Sequence, residues 1–314
     1  MDNGTTFEWK NCADENAFII FSYVLFSVIF FPTIFGNILI IVSICKFRHL
    51  RSNMHILIGN LAVSDLIIAV SIILQVVGNF REELVTNKYF CLGQNAVFVI
   101  SLGTSSYNML TISIERFLAV KFPLKHRIMF TRRTSYILII VCWSYHSLFA
   151  SLPLLGWNNF HDDVLVCDTD LVWTREYDII LFAGLLIVVI VNGLLCGYMM
   201  KIIVEKGKIV RYNSSDSFKN QRILGNFKRT KMTLIIFGVF ALSWTPYLIV
   251  SLILSFENKP AIRCSRQWCI CLGIINSATN WIIYGLANRS FREAFKAVLK
   301  GRRLVHFRGS LSNL

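Results

Sequence analysis

Asp65 sits inside the apolar run from Leu57 to Val77, where a carboxylate costs roughly 2.5 to 3.5 kcal/mol on insertion scales and so calls for partners. Oxygen-bearing residues in other apolar runs can supply them: Asn37, Ser105, Asn276, Ser277 and Asn280. Hydroxyl and amide oxygens gathered round one carboxylate form a hard-oxygen cage suited to a small cation such as Na⁺. The same residue types equally make a water-filled hydrogen-bond cluster that ties helices together. A second charged feature is Glu115-Arg116. Neighbours in a helix do not face one another as an i, i+4 pair does, so Arg116 reads either as a snorkelling cation at a membrane boundary or as a donor to a partner's backbone carbonyls. No paired carboxylates, Gly-x-Ser-x-Gly or His-Glu-x-x-His pattern occurs, which argues against an intramembrane enzyme.

The elements that hold these residues are long apolar runs. The chain has 314 residues, 55% of them hydrophobic and only 16% charged, with mean hydropathy +0.57. That is more apolar surface than a soluble domain of this length can bury. Runs long enough to cross a bilayer occur at 18–45, 54–79, 90–120, 134–157, 177–204, 232–256 and 268–287. The expected fold is an all-α membrane protein, a seven-transmembrane helix bundle over 18–287, with an outer tail at 1–17. The first run is too long for a signal-peptide core and is expected to be retained. After the seventh, Phe291, Phe295, Val298 and Leu299 share one helical face opposite basic residues. This predicts an amphipathic interfacial helix over 288–300, before a cytoplasmic tail at 301–314. Pro246 is expected to kink the sixth span, with Trp244 just below the bend.

Orientation follows from Lys and Arg, which stay on the cytoplasmic side during insertion. With the amino terminus outside, 25 of the 32 Lys and Arg fall at cytoplasmic ends and 13 of the 18 Asp and Glu fall outside. The +14 net charge is therefore an inside-positive signature in contact with membrane lipid; nucleic acid is not expected as a partner. Cys91 and Cys167 then both face the oxidising side and are expected to be bridged. Cys45, Cys142 and Cys196 read as apolar fillers. A second bridge, Cys264 to Cys269 or Cys12 to Cys264, stays open. Asn3-Gly4-Thr5 is a glycosylation sequon on the outer side, whereas the matches at Asn213 and Asn288 would be cytosolic.

Taken together the residues resemble the rhodopsin-like (class A) G-protein-coupled receptors from about Gly36 to Phe295. The resemblance rests on Gly36-Asn37, Asn60-Leu61-Ala62-Val63-Ser64-Asp65, Cys91, Glu115-Arg116-Phe117, Trp143, Cys167, Tyr198, Phe240 with Ser243-Trp244-Thr245-Pro246, and Asn280-Trp281-Ile282-Ile283-Tyr284 before Phe291. It implies a plasma-membrane receptor that binds an extracellular ligand and activates a heterotrimeric G protein by outward movement of span six. It also implies a sodium pocket at Asp65, Ser105, Asn276, Ser277 and Asn280, and a coupling face of Glu115, Arg116, Leu124, Tyr198 and Tyr284. The ligand pocket it implies comprises Phe98, Leu102, Asp170, Trp244, Tyr247, Leu248, Ser251, Ile270 and Ile274. Glu-Arg-Phe replaces the commoner Asp-Arg-Tyr, while Ile190 and Trp281 stand where the family usually has proline.

Val120-Lys121-Phe122-Pro123-Leu124-Lys125 and Leu152-Pro153-Leu154-Leu155-Gly156-Trp157-Asn158-Asn159 look like the adenosine receptors and, more loosely, their cannabinoid and lysolipid relatives. The ligand-reading positions differ: Ser251 and Thr169-Asp170 stand where adenosine receptors carry Asn and Phe-Glu. Phe98 occupies the place of the amine-binding Asp of aminergic receptors. No Lys lies in span seven, which excludes a covalent retinal, so no cofactor is expected beyond an allosteric Na⁺. The expected ligand is small and largely apolar or lipid-like, with a peptide second. The competing class, a transporter or channel using Asp65 as its ion site, calls for internal repeats and further buried charge along a path, neither of which the sequence has.

Overall fold

The computed structural model describes residues 15–161, 167–212, 217–257 and 259–301. The sequons at Asn3 and Asn213, Cys12, and the tails 1–14 and 302–314 lie outside the described residues. The chain folds as α1 (Glu15–Lys46), α2 (Asn53–Phe80), α3 (Glu82–Val85), α4 (Lys88–Lys121), α5 (Pro123–Met129) and α6 (Arg132–Ser151), followed by α7 (Thr169–Val172), α8 (Arg175–Tyr212), α9 (Ser217–Leu254), α10 (Pro260–Ala287) and α11 (Arg289–Leu299). Among the described residues seven helices, α1, α2, α4, α6, α8, α9 and α10, are long and apolar enough to span a membrane. Exposed Phe31, Val70, Ile140, Leu194 and Leu242 give the bundle an apolar exterior, as a helix surrounded by lipid requires.

The spans close into a ring. α1 packs on α2 and α10, α2 on α4, α4 on α6 and α8, and α9 on α8 and α10. α4 also reaches α9 and so runs through the middle, with 61% of its apolar window buried against 17% for α6. Side-chain caps fix where the helices start. Asn87 Oδ1 accepts from the Tyr89 and Phe90 amides at 3.0 and 3.1 Å, Thr131 Oγ1 from Thr134 at 3.1 Å, and Asn288 Oδ1 from Ser290 at 3.0 Å.

At their inner ends α8 and α9 run past the hydropathy reading, to Tyr212 and from Ser217, and two other spans differ from it at their outer ends. The fourth was expected over 134–157, yet α6 stops at Ser151 and residues 152–156 form turns. Pro153 cannot continue the helical ladder, and Gly156 takes a φ of 120°, which suits glycine alone. The seventh was expected from 268, yet α10 begins at Pro260, a favoured first-turn position. Hydropathy discounts its outer turns because they carry Arg263 and Arg266. The α11 face also departs from expectation. Phe291, Ala294, Phe295 and Ala297 are its buried residues, while Leu299 is 61% exposed and lines an apolar groove with Phe31, Phe35 and Trp281.

Cys91 and Cys167 are bridged, with a Cα–Cα distance of 5.6 Å. Cys264 is disulfide-bonded and Cys269 is a free thiol, so the Cys264 to Cys269 alternative is not made.

Candidate functional site

The site has three storeys along the bundle axis. In the middle, polar side chains from α4 and α6 lock α2 in place. Ser101 Oγ donates to the Ser64 carbonyl at 2.6 Å, Asn108 Nδ2 to the Leu57 carbonyl at 2.8 Å, and Trp143 Nε1 to Asn60 Oδ1 at 2.8 Å. Asp65, 1% exposed, accepts from Asn280 Nδ2 at 2.8 Å. Asn37 Nδ2 donates to the Thr33 and Ser277 carbonyls at 2.9 and 3.1 Å. All five expected sodium-pocket residues are buried here. Asn37 Oδ1, Ser105 Oγ, Asn276 Oδ1 and Asn280 Oδ1 are buried with no hydrogen-bond partner among the described residues, and the Ser277 hydroxyl lies within reach of the Asp65 carboxyl. A buried acceptor without a donor costs about 1 to 3 kcal/mol. Oxygens short of donors are the ligand set a hard cation takes.

Just below, Trp281 replaces the proline that the resemblance predicts, and the helix continues through it. Gly36 makes room for the indole, since a Cβ there would lie 1.9 Å from Trp281 Cδ1.

At the inner end the structure corrects the reading of Glu115-Arg116. Arg116 Nε and Nη2 both donate to the Glu115 carboxylate in a forked pair. Neighbouring Cβ atoms diverge, but the arginine stem is long enough to fold back. Arg116 is 5% exposed, so it does not snorkel. His126 Nε2, from α5, lies 2.8 Å from Glu115 Oε1, and Arg229 of α9 is within electrostatic reach of both members of the pair. Leu124 stands 78% exposed. Tyr198 and Tyr284 are not together. The Tyr198 hydroxyl accepts from Lys121 Nζ at 2.8 Å, with that ammonium over its ring at 4.4 Å. Tyr284 is buried, its ring 5.4 Å from Phe291 and its hydroxyl without a partner among the described residues.

The outer storey is an aromatic floor beneath a charged ceiling. Phe98 lies 6.2 Å from Trp244 and 6.0 Å from Tyr247. Leu102, Leu248, Ser251 and Ile274 are buried beside them, and Ile270 is partly so. Gly273 lets Trp244 press onto α10, since a Cβ there would come within 2.6 Å of the indole.

Asp170, expected as a free ligand contact, is instead tied into the ceiling. Arg266 Nη2 donates to Asp168 Oδ1 at 2.6 Å, and Nη1 donates to Thr169 Oγ1 at 2.8 Å and to Asp170 Oδ1. Arg263 Nε lies 3.3 Å from Asp170 Oδ2. Burial works against ionisation of Asp168, but the Arg266 guanidinium and its hydrogen bond outweigh it and hold the carboxyl below the usual range. Burial pushes the Asp170 carboxyl up to about 6, with Arg266 opposing and the Asp168 charge assisting.

Sequence reasoning missed Arg266, Arg263, Asp168, Phe182 and Asp178. A pattern was available for the first: Arg266, Ile270 and Ile274 recur every four residues on one face of α10.

A seven-helix bundle with an aromatic cluster under charged side chains at one end and a buried ion pair at the other has the architecture of a membrane receptor. The chain belongs to the rhodopsin family of seven-transmembrane receptors, which it matches over residues 36–284, and is a G-protein-coupled receptor. It is 27% identical to sphingosine 1-phosphate receptor 3 of Takifugu rubripes over 282 residues, 88% of this chain and 70% of that one. It is 27% identical to adenosine receptor A3 of Ovis aries over 283 residues, covering 85% and 86% of the two chains. It is 28% identical to the alpha-1A adrenergic receptor of Oryctolagus cuniculus over 326 residues, covering 90% and 68%. These relatives are receptors, not enzymes.

Proposed function

We propose that this receptor lies in the plasma membrane with its amino terminus outside, takes a small, largely apolar or lipid-like ligand into the outer cavity, and activates a heterotrimeric G protein at its inner face. The observation that carries the reading is the Arg116 fork, buried at the inner mouth between α4 and α9 and held by Glu115. Outward movement of α9 opens that mouth, so that Arg116 can trade Glu115 for carbonyls of the G protein while Leu124 inserts as an apolar plug. Tyr198 and Tyr284 then support the open state, Tyr198 after leaving Lys121. Na⁺ held by Asp65, Ser105, Asn276, Ser277 and Asn280, with Asn37 beside them, favours the closed state.

The relatives point to three ligand chemistries, and adenosine fits poorly as a potent agonist. Ser251 is too short to act as a bidentate amide, Thr169 offers no aromatic face, and Asp170 already serves Arg263 and Arg266. Missing polar contacts of this kind weaken recognition by roughly 10⁴-fold. A submicromolar adenosine response lost in Asp170→Ala would overturn this. The coupling reading is tested by nucleotide exchange on a purified G protein. Arg116→Ala at normal surface expression should reduce exchange to its receptor-free rate, and undiminished exchange contradicts the reading.

A further inference from the structure

One acid of the outer storey has an oxygen with no hydrogen-bond partner among the described residues. Asp178, in the first turn of α8, is 8% exposed, and its Oδ1 is buried with no hydrogen-bond partner among the described residues. It lies four residues before Phe182 and so shares a face of α8 with it. Phe182 is buried with its ring 5.8 Å from Tyr247. Asp178 therefore stands one turn above the aromatic floor, within electrostatic reach of Tyr247 on α9.

Its charged neighbours are Asp168 and Asp170 from the loop and Arg266 from α10. Arg266 is already engaged by Thr169, Asp168 and Asp170, and Arg263 faces Asp170. Arg175, three residues away, sits instead over the Phe256 ring at 5.0 Å. Residues 162–166, Asp-Asp-Val-Leu-Val, carry no base. Among the described residues three carboxyl groups thus share two guanidinium groups, and neither guanidinium makes a salt bridge to Asp178. A carboxyl group buried with one oxygen unpartnered gains a charge-assisted hydrogen bond when a cationic donor is placed beside it.

We propose that Asp178 is the subsite for a cationic group on the ligand, an ammonium or guanidinium, whose apolar body lies on Phe98, Trp244, Tyr247 and Phe182. The proposal rests on the outer cavity being the ligand site, and it gives the largely apolar ligand a basic end. With Phe98 in α4 where aminergic receptors carry their acid, the anchor for a cation stands on α8 instead. An anionic group is disfavoured because Asp168, Asp170 and Asp178 surround Arg266.

The test uses the full chain in lipid nanodiscs and reads its melting temperature against three probe series. Each probe has one aromatic ring on a two- to four-carbon linker ending in a primary ammonium, a hydroxyl or a carboxylate. Ammonium probes at millimolar concentration should raise the melting temperature, and hydroxyl probes should need at least about tenfold more for the same shift. Asp178→Asn should bring that ratio to about one, and Asp178→Glu should keep most of it. Without probe, Asp178→Asn should melt no lower than the parent, because Oδ1 has no hydrogen-bond partner among the described residues to lose. Equal response to ammonium and hydroxyl, preference for carboxylate, no ammonium response, or an ammonium preference that survives Asp178→Asn overturns the proposal. Coupling is read separately by nucleotide exchange, so an intact ammonium preference without exchange counts against coupling alone, and the reverse counts against the subsite alone.

Discussion

The two halves of α10 bury polar groups by opposite means. In the outer half, Arg266 is engaged by two carboxylates and a hydroxyl, Arg263 faces Asp170, and Gly273 is pressed against Trp244. In the inner half, Asn276 Oδ1, Asn280 Oδ1, Trp281 Nε1 and the Tyr284 hydroxyl are buried without partners among the described residues. Near the water boundary a loop can bring opposite charges to a helix. Mid-bundle, no loop reaches and the described residues supply no such partners. The outer half therefore acts as an anchor, and the inner half is where a change of state costs least.

The sharpest way to break this contrast is Arg266→Ala, which leaves Asp168 and Asp170 buried and short of their main counter-ion. Thermal unfolding should show a loss of about 3 to 5 kcal/mol. Arg266→Lys should recover only part of it, because one ammonium cannot reproduce the fork. An unchanged melting temperature would make the two halves alike.

A smaller effect is expected just below the middle. Gly36→Ala forces a methyl into the Trp281 ring and should cost about 1 to 3 kcal/mol. Trp281→Ala in the same chain should restore most of that loss; additive losses would mean that the two residues do not share one space.

The smallest effect is the cation dependence of the inner half. At a Na⁺ concentration about ten times Kd the ligand-free receptor should gain about 1.4 kcal/mol over the same ionic strength of choline. Asp65→Asn should abolish that difference, whereas Arg266→Ala should leave it in place. Equal melting in Na⁺ and choline would make the Asp65 cluster a purely structural one.

The inner half was far more legible than the outer. Asp65 and its amide and hydroxyl companions stand out because any polar residue deep in an apolar run demands an explanation. The ceiling was hidden because charges at the end of a run look like ordinary flanks, so Arg263 and Arg266 fell outside the span drawn from 268. Asp170 was recognised from the loop, but its partners lie some hundred residues further along the chain, beyond the reach of local patterns. The Glu115-Arg116 fork was misread for a related reason: Cβ spacing describes short side chains well and an arginine stem poorly. Trp281 was visible as a departure, yet only the packing revealed that Gly36 compensates for it.

The bridge between Cys91 and Cys167 has a consequence for how the receptor matures. Cys167 immediately precedes Asp168, so once the thiols are joined the two loop acids are tethered beside the bundle, at an effective concentration on the order of millimolar toward Arg266. Before oxidation the same acids must find Arg266 from a connection free between Ser151 and Arg175. The charged ceiling is thus finished only after the nascent chain meets an oxidising lumen. A chain kept in reducing surroundings would carry all seven spans and still lack a preassembled roof over the aromatic cluster.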